Sequence, residues 1–265
     1  VLPKRVMMID AFDGEPVTVV DTGAEFRARY HDNPYLVIHR VDLHNILVNA
    51  CRLYSNIHLD EDAAVTGHED HGDHVVVVSA DGRRFEGALV IGADGIRSHL
   101  RKSIMGDSDP AQTGYVAHRT IVSRDDVVLW GGEGFHIVHY PLRDKTIFNI
   151  VAVFETQTYA EKMETEAYRA ELERTYMHSH PAMREMVKLL DLERRWPIGD
   201  RKPQRGWSRG RIVLMGDAAH ATLQSYAQGA GMAIEDAIVL ARLIDACQGD
   251  YETAFKTFES ERLLR

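Results

Sequence analysis

An apolar run that ends on a glycine and an aspartate, residues 211–217 (RIVLMGD), constrains the fold of this chain more than any other feature. The glycine-rich segment 228–231 (QGAG) follows it and leads into an apolar helical pattern over 232–246. This order predicts a buried strand, a loop, and a glycine-rich turn that opens a helix. Open α/β sheets bind ligands at the carboxyl ends of such strands. Asp217 is therefore expected to accept hydrogen bonds from ligand hydroxyl groups, and the glycines to let a ligand approach the positive end of the helix.

The middle of the chain predicts an antiparallel sheet between two parallel-sheet segments. The continuous apolar run 88–91 is typical of a buried parallel strand, and the run beginning at Arg211 has the same character. Strand patterns lie between them at 114–121, 126–130, 135–140 and 147–154. Helices are predicted over 159–176 and 181–190, and a strand over 194–197 returns to the sheet. The fold class is therefore α/β, with a doubly wound, Rossmann-like domain interrupted by a mainly antiparallel sheet.

The first part of the chain contains shorter patterns. Strands are predicted over 17–20 and 35–38. Asp42 is expected to cap a helix over 42–53, because apolar residues recur there at helical spacing. The pair Asp81-Gly82 predicts the tight turn of a hairpin over 74–86, and Ser98 is expected to cap a short helix.

Composition and charge exclude several classes of protein. The net charge is −9 and the isoelectric point about 5.9, so nucleic acid and anionic membranes would be repelled. No apolar run approaches the roughly 20 residues that a membrane-spanning helix needs, which excludes an integral membrane protein. Two cysteines, Cys51 and Cys247, give no disulfide framework and fit a reducing compartment. A cytoplasmic location is therefore expected.

Residues 68–74 carry three histidines spaced three apart, a pattern that raises the question of a metal site. Zinc ligands converge from rigid elements, whereas this segment is expected to be an exposed loop ahead of a strand. We therefore expect no metal centre in this chain.

Three motifs resemble those of one enzyme family, and they occur in that family's order. Residues 211–231 are similar to the second flavin-contacting motif of the FAD-dependent aromatic hydroxylases, which are single-component flavoprotein monooxygenases. Residues 90–98 (VIGADGIRS) resemble the family's Asp-Gly motif. Residues 39–44 (HRVDLH) resemble its Arg-x-x-Leu helix start. The doubly wound domain would then be the FAD-binding domain, and the antiparallel sheet the substrate domain.

The resemblance also implies how the chain divides. The FAD-binding domain would comprise residues 36–110 and 206–265, and the substrate domain 1–35 and 111–205. The family's opening Gly-x-Gly-x-x-Gly turn, which cradles the FAD pyrophosphate, does not occur in this sequence. The first strand–helix–strand unit is therefore expected to be missing, and the chain to be part of a longer protein.

The cofactors and their contacts follow from the same resemblance. FAD contacts are implied for Arg40, Asp94, Asp217, Gly229, Ala230, Gly231 and Met232. Arg40 would reach the ribityl or phosphate region with a planar donor that is always charged. His220 is expected to orient its loop rather than act on substrate. NADH and O₂ would be co-substrates, and a homodimer is a possible assembly.

The strand pattern over 135–142 (FHIVHYPL) carries the candidate chemistry. Because side chains alternate along a strand, His136, Val138 and Tyr140 share one face and the intervening residues share the other. His136 and Tyr140 can therefore point together into a pocket. An imidazole and a phenol hydroxyl there would suit a phenolic acid as substrate.

Within the family, these residues most resemble those of the 3-hydroxybenzoate 6-hydroxylases. The resemblance makes His136 the base that deprotonates a small aromatic acid at its phenol, with Tyr140 and Gln224 holding that substrate and Arg119 supporting its junction with the flavin. A flavin C4a-hydroperoxide would convert 3-hydroxybenzoate to 2,5-dihydroxybenzoate. Alternatives stay open: decarboxylating hydroxylation of salicylate to catechol, oxidation of a hydroxynicotinate, a flavoprotein reductase or halogenase-like enzyme, and a non-catalytic flavin-fold fragment.

Overall fold

The computed structural model describes residues 1–106, 109–121, 126–156 and 164–264. Its strands are β1 Arg5–Asp10, β2 Pro16–Asp21, β3 Val65–Asp70, β4 Val75–Ser79, β5 Arg84–Gly87, β6 Val90–Gly92, β7 Ala111–Ile121, β8 Val127–Gly132, β9 Phe135–Leu142, β10 Ile147–Glu155, β11 Trp196–Asp200, β12 Ser208–Arg209 and β13 Ile212–Leu214. Its helices are α1 Ala24–Arg29, α2 Arg40–Cys51, α3 His99–Met105, α4 Thr165–Tyr176, α5 Pro181–Val187, α6 Asp217–His220, α7 Gly229–Ala246 and α8 Tyr251–Arg262. None of these helices has the length and apolar character needed to cross a membrane.

The chain divides into two compact units, each built from two segments. The first unit comprises Val1–His58 and Gly114–Ile198, and the second comprises Leu59–Thr113 and Gly199–Arg265. This grouping puts residues 36–58 in the first unit, whereas they were predicted to belong to the FAD-binding domain. The predicted domains are defined by the ligand each would bind, so they stay a prediction.

Among the described residues, the first unit contains a seven-stranded sheet in the order β11-β7-β10-β9-β8-β1-β2. The pairs β7–β10, β10–β9 and β9–β8 are antiparallel, whereas β8 and β1 are parallel. The antiparallel sheet predicted for the middle of the chain is thus confirmed. Strand β1 was not predicted, because its sequence RVMMID lacks a clear alternation of apolar and polar residues.

One face of this sheet is covered by α4 and α5. The buried residues of these helices include Tyr168, Leu172, Tyr176, Met183 and Val187. They pack with the strand residues Phe135, Ile137, Ile150, Ala152 and Phe154. Burial of one aliphatic or aromatic side chain contributes roughly 1.5–3 kcal/mol, so this face holds the unit together. The opposite face is less buried, and it carries His136 and Tyr140.

The described residues of the second unit form two three-stranded sheets. In one of them β6 and β13 are parallel, with Val90 opposite Ile212 and Gly92 opposite Leu214. Both runs predicted as parallel strands are therefore confirmed. The core beside this sheet contains Val213, Trp207, Leu240, Phe255 and Phe258, so that α7 and α8 pack on it.

The other sheet of the second unit has the order β3-β4-β5 and is antiparallel. Its β4–β5 hairpin turns at Asp81-Gly82, as predicted, and Gly82 has a φ of +86°. The segment predicted as a loop before it is partly strand, because His68 lies within β3. His68, Glu69 and Asp70 pair with β4, and the sequence pattern did not predict this pairing.

Two predictions near the start of the first unit are wrong. Residues 35–38 form no strand; Val37 exchanges two backbone hydrogen bonds with Val1 alone, at 2.9 and 3.1 Å. Asp42 does not cap α2, whose N-cap is His39. The carboxylate of Asp42 instead accepts two hydrogen bonds from Arg143, at 2.7 and 2.9 Å, so a tertiary ion pair replaces the cap.

Other boundaries shift by a few residues. The helix predicted over 159–176 begins at Thr165 in the structure, and residues 157–163 lie outside the described part. The helix predicted over 181–190 ends at Val187. The strand predicted over 194–197 is Trp196–Asp200. The run predicted as a buried strand over 88–91 forms β6. Ile91 is 42% exposed, so the prediction that the strand is buried is wrong for this residue.

Candidate active site

Strand β13 leads directly into the turn that carries Asp217. Gly216 has a φ of +56°, a left-handed conformation that glycine adopts without steric strain. A Cβ at this position would also lie 3.2 Å from the Cβ of Ala233 on α7, so the close approach of the two elements favours glycine. Asp217 begins α6 and is exposed. Its carboxylate is therefore accessible at the carboxyl end of a parallel strand, where ligands of α/β sheets bind.

Helix α7 begins beside this carboxylate. A Cβ at Gly229, the first residue of α7, would lie 3.9 Å from Oδ1 of Asp217. The Met232 N–H donates to the Gln228 carbonyl at 2.9 Å, while the N–H groups before it have no intrahelical acceptor, as at any helix start. Space is open where a Cβ of Gly231 would lie. Asp217 and the start of α7 thus come together, and they fit a ligand that offers both hydroxyl groups and negative charge.

A buried carboxylate, Asp236 of α7, supports this turn. It accepts hydrogen bonds from Gly216 N–H at 2.9 Å, from Nε2 of His220 at 2.6 Å, and from Nε of Arg262 at 2.6 Å. Burial opposes ionisation of Asp236, but the hydrogen bonds outweigh it and hold the pKa of the carboxyl below its usual range. His220 is bound to this carboxylate, which agrees with the predicted role in orienting the loop.

A buried cation supports the same turn. Arg101 of α3 is 1% exposed, and its Nη1 donates to the carbonyls of Ala218 at 2.9 Å and Ala219 at 2.6 Å. Neither Arg101 nor Asp236 was predicted from the sequence. For Asp236 a signal was available, because a carboxylate within the mostly apolar helical pattern of α7 needs a buried partner. The polar sequence of α3 gave no such signal for Arg101.

Asp94 has a structural partner in the second unit. One of its carboxylate oxygens accepts hydrogen bonds from His99 N–H at 2.8 Å and Leu100 N–H at 3.2 Å, at the start of α3. Ser98 Oγ accepts from Arg101 N–H at 2.8 Å, which confirms the predicted cap. Asp94 therefore fixes the end of the Asp-Gly motif, and its contact with FAD stays a prediction.

Gln224 lies in the 3₁₀ turn Gln224–Tyr226 between α6 and α7. Its Nε2 is buried and has no hydrogen-bond partner among the described residues. A buried donor left without an acceptor destabilises a protein by about 1–3 kcal/mol. An acceptor supplied by a ligand would remove this penalty, so the amide marks a position where a ligand fits.

The outer face of β9 belongs to the first unit. Burial alternates along β9 as predicted, with His136, Val138 and Tyr140 half-buried and the intervening residues in the core. Val153 of β10 lies opposite His136, and Val151 lies opposite Val138. These valines form a small apolar cluster with Ala117, against which Tyr115, Val138 and Ile198 pack. The imidazole of His136 thus lies at the edge of an apolar surface.

His136 and Tyr140 lie on this same face of β9. Four residues of extended strand separate their Cα atoms by about 13 Å, with Val138 between them. Burial lowers the pKa of His136, and its imidazole makes no hydrogen bond to a described residue. A neutral imidazole with an available lone pair is what a general base requires. Arg119 lies on the adjoining strand β7, but its side chain is outside the described part of the structure.

Arg40 is the first residue of α2 in the first unit. It is exposed, and its guanidinium forms no hydrogen bond or ion pair with a described residue. Asp42, two residues later, is bound to Arg143, whose hydrogen bonds hold the pKa of that carboxyl below its usual range. Arg40 is therefore available to an anionic ligand, and its contact with FAD stays a prediction.

Comparison with known proteins identifies the family. The family model described as "FAD binding domain" matches residues 4–265. The chain belongs to this FAD-binding family. The match confirms the family and the fold class that the three motifs predicted, and it supports FAD as the cofactor.

Named relatives and solved structures agree with this assignment. The chain is 36% identical to the 3-hydroxybenzoate 6-hydroxylase of Klebsiella oxytoca, over 100% of this chain and 68% of that enzyme. It is 33% identical to the 6-hydroxynicotinate 3-monooxygenase of Bordetella bronchiseptica, over 91% of this chain and 65% of that enzyme. The crystal structure of Klebsiella pneumoniae HpxO complexed with FAD and uric acid superposes with a TM-score of 0.85 at 26% identity, covering 99% of this chain and 68% of that one. With the family match, the named relatives show that the chain is a flavin-dependent aromatic monooxygenase.

Proposed function

We propose that this monooxygenase converts 3-hydroxybenzoate to 2,5-dihydroxybenzoate. The reaction consumes NADH, O₂ and one proton, and it releases NAD⁺ and water. One oxygen atom enters the ring para to the hydroxyl group. The name of the Klebsiella oxytoca relative supports the substrate and the position of attack. A cytoplasmic location and a homodimeric assembly remain predictions from the sequence.

The observation that carries this proposal is the imidazole of His136, which has no hydrogen-bond partner among the described residues. A phenol has a pKa near 10, so it stays protonated at neutral pH unless a base takes the proton. Burial lowers the pKa of His136, and the ring is therefore neutral and able to accept that proton. The resulting phenolate pushes electron density onto the carbons ortho and para to the oxygen, which activates them toward an electrophilic oxygen atom.

The other residues of this face would orient the substrate. Val138 and its valine neighbours on β10 offer an apolar surface for the aromatic ring and exclude water from it. Tyr140 lies about 13 Å along the strand from His136, and its hydroxyl would donate a hydrogen bond to the substrate. The substrate would then span the face between the base and this donor.

The second unit would hold FAD through the carboxylate of Asp217 and the N–H groups of Gly229, Ala230 and Gly231 at the start of α7, with Met232 as a neighbouring contact. Arg40 and Asp94 are the further contacts proposed, and the amide of Gln224 would donate to an acceptor on the bound ligands. Bound FAD supplies the redox chemistry, by which electrons from NADH reduce O₂ and one oxygen atom is transferred to the ring. The exposed carboxylate of Asp217 and the open space at Gly231 support this assignment.

The test is a product analysis with the FAD-loaded enzyme. Oxidation of NADH is followed in parallel with the aromatic product, using 3-hydroxybenzoate, salicylate or no aromatic acid, and NADPH in a matched series. We expect 3-hydroxybenzoate to stimulate NADH oxidation and 2,5-dihydroxybenzoate to form in equal amount. Catechol formed from salicylate, with no product from 3-hydroxybenzoate, would replace the proposed substrate. Equal NADH loss with and without an aromatic acid, yielding only H₂O₂, would contradict a hydroxybenzoate hydroxylase.

A further inference from the structure

Two buried charges in the second unit are not among the predicted cofactor or substrate contacts. Asp236 is 0% exposed and Arg262 is 7% exposed, and their side chains join α7 to α8 at 2.6 Å. Removing a carboxylate or a guanidinium from water is unfavourable, so buried charges persist only where good hydrogen bonds replace the water. The groups to which Asp236 and Arg262 bind therefore indicate the role of the pair.

The hydrogen bonds of the pair converge on the flavin-contacting segment. Asp236 binds the backbone N–H of Gly216, the residue directly before Asp217, and the side chain of His220, the last residue of α6. Arg262 donates through Nη2 to the carbonyl of Met232, in the first turn of α7, at 3.2 Å. The pair therefore contacts the chain on both sides of the proposed cofactor contacts.

Arg262 is itself held in place. Its Nη1 lies 2.9 Å from Oε2 of Glu235, the residue beside Asp236 on α7. With Nε on Asp236 and Nη2 on Met232, the planar guanidinium is bound along several edges at once, an arrangement that lysine could not reproduce. The orientation of the Asp236 carboxylate is thus set from α8.

Arg101 completes the arrangement from the opposite side. It binds the carbonyls of Ala218 and Ala219, while Asp236 binds the Gly216 N–H, so buried side chains hold the α6 turn through a donor and two acceptors of its backbone. The carboxylate of Asp217 is the exception, since it forms no hydrogen bond to a described residue. The Asp217 carboxylate is therefore the group of this turn that is left available to a ligand.

We infer that Asp236, held by Arg262, is a positioning residue for FAD binding. It fixes Gly216 and His220 before the cofactor arrives, so that the Asp217 carboxylate and the first N–H groups of α7 are already placed. Binding then avoids the loss of freedom that an unsupported turn would have to undergo. The inference rests on the FAD contacts proposed for Asp217 and Gly229, and it is independent of the identity of the aromatic substrate.

The first test replaces Asp236 by Asn and measures FAD affinity by titrating the apo-protein and following flavin fluorescence. Asn keeps the size of the side chain, but its single oxygen cannot serve three donors. We expect the Kd for FAD to rise by about tenfold or more, as when a buried hydrogen bond to a charged group is lost. The matched control is Arg242→Gln, which breaks an exposed ion pair between the same two helices, Arg242–Glu261 at 2.7 Å. Its Kd should remain within about twofold of the parent value.

A second pair of variants covers the case in which Asp236→Asn does not fold. His220→Ala removes one donor to the carboxylate, whereas His220→Gln retains an N–H at a similar reach. We expect the Kd to rise by several-fold in the Ala variant and to return toward the parent value in the Gln variant. Thermal unfolding of the apo-proteins, measured alongside, separates a loss of affinity from a loss of folding.

The outcomes distinguish this inference from the proposed function. FAD affinity within about twofold of the parent in a folded Asp236→Asn or in His220→Ala would overturn the positioning role, even if the melting temperature fell. An equal rise of the Kd for FAD in His220→Ala and His220→Gln would also overturn the positioning role. Restoring an N–H donor to Asp236 would then not restore FAD affinity. Weakened FAD binding in a protein that hydroxylates no hydroxybenzoate would support the inference and reject the substrate.

Discussion

The two candidate ligand-binding regions of this molecule are built in opposite ways. At the Asp217 turn the supporting charges are buried and paired, with Asp236 accepting three hydrogen bonds and Arg101 donating to two carbonyls. On the outer face of β9 the imidazole of His136 has no hydrogen-bond partner among the described residues. A region that fixes a ligand gains from rigid, paired supports, whereas a base must keep its lone pair available.

This difference predicts that substitutions in the two regions have separable effects. Changes around Asp217 should act on stability and on FAD affinity, because they leave buried polar groups without partners. Changes at His136 should act on rate with little effect on stability, because no existing bond is lost. Four measurements test whether the two regions differ in this way.

The largest effect is expected for His136→Asn. Asn keeps a polar side chain of similar size but cannot act as a base at neutral pH, so kcat should fall by roughly 10²–10⁴-fold. The KM for the aromatic acid should change little, and the urea midpoint should match the parent. The control is His178→Asn, an exposed histidine of the same unit. Partial recovery of the His136→Asn rate at high pH, where the phenol ionises unaided, would strengthen the assignment, and a rate equal to the parent would refute it.

The second effect is a loss of stability in Arg101→Met. Methionine fills part of the volume but leaves the carbonyls of Ala218 and Ala219 unpaired, which should lower the free energy of unfolding by about 1–3 kcal/mol for each. Urea denaturation followed by circular dichroism measures the change. Arg84→Met is the control, since Arg84 pairs with Glu69 on an exposed surface of the same unit. If both variants unfolded at the same urea concentration, the supports of the turn would not be structural.

The third effect is an acid limb in the pH profile of kcat/KM. Burial lowers the pKa of His136 below its ordinary value of 6.5, so the imidazole is neutral at pH 7 and becomes protonated only as the pH falls further. Below that pKa the rate should decline by about tenfold per pH unit, the limit for one essential base. The limb should disappear in His136→Asn. An acid limb centred above about pH 7 would mean that the imidazole has an acidic partner, whereas His136 has none among the described residues.

The sequence predicts well those features that local pattern determines. The alternation along β9, the Asp81-Gly82 hairpin and the Ser98 cap each depend on a few neighbouring residues, and all are confirmed. The motif around Asp217 likewise predicts a carboxylate beside a glycine-rich helix start, which the structure contains. Local chemistry of this kind requires no knowledge of distant parts of the chain.

Partners that are distant in the chain could not be predicted in the same way. Asp236 and Arg262 are separated by 26 positions, and Arg101 and Ala218 by 117 positions, so no local periodicity connects them. The same reason explains the errors at residues 35–38 and at Asp42. Residues 35–38 have the composition of a strand but find no strand to pair with, and Asp42 binds Arg143 instead of capping its helix.

The smallest effect is expected for Tyr176→Phe, a substitution that tests whether His136 is positioned through its backbone carbonyl. The hydroxyl of Tyr176, buried on the covered side of the sheet, donates to the carbonyls of Val153 at 2.9 Å and His136 at 3.2 Å. Tyr176→Phe removes this hydroxyl and keeps the ring that packs edge-on against Phe135. The free energy of unfolding should fall by about 1 kcal/mol, and kcat should fall by less than about fivefold.

Urea unfolding and steady-state kinetics of Tyr176→Phe measure the two quantities in one preparation. Tyr168→Phe is the matched control, because its hydroxyl binds Nε2 of His118 on β7 and forms no hydrogen bond to a described residue of β9. Equal, small losses of stability in the two variants, with rates near the parent value, would mean that the chemistry on β9 depends on the imidazole alone. A rate loss in Tyr176→Phe as large as that in His136→Asn would mean that a buried, paired support also governs this face, and the contrast between the two regions would no longer hold.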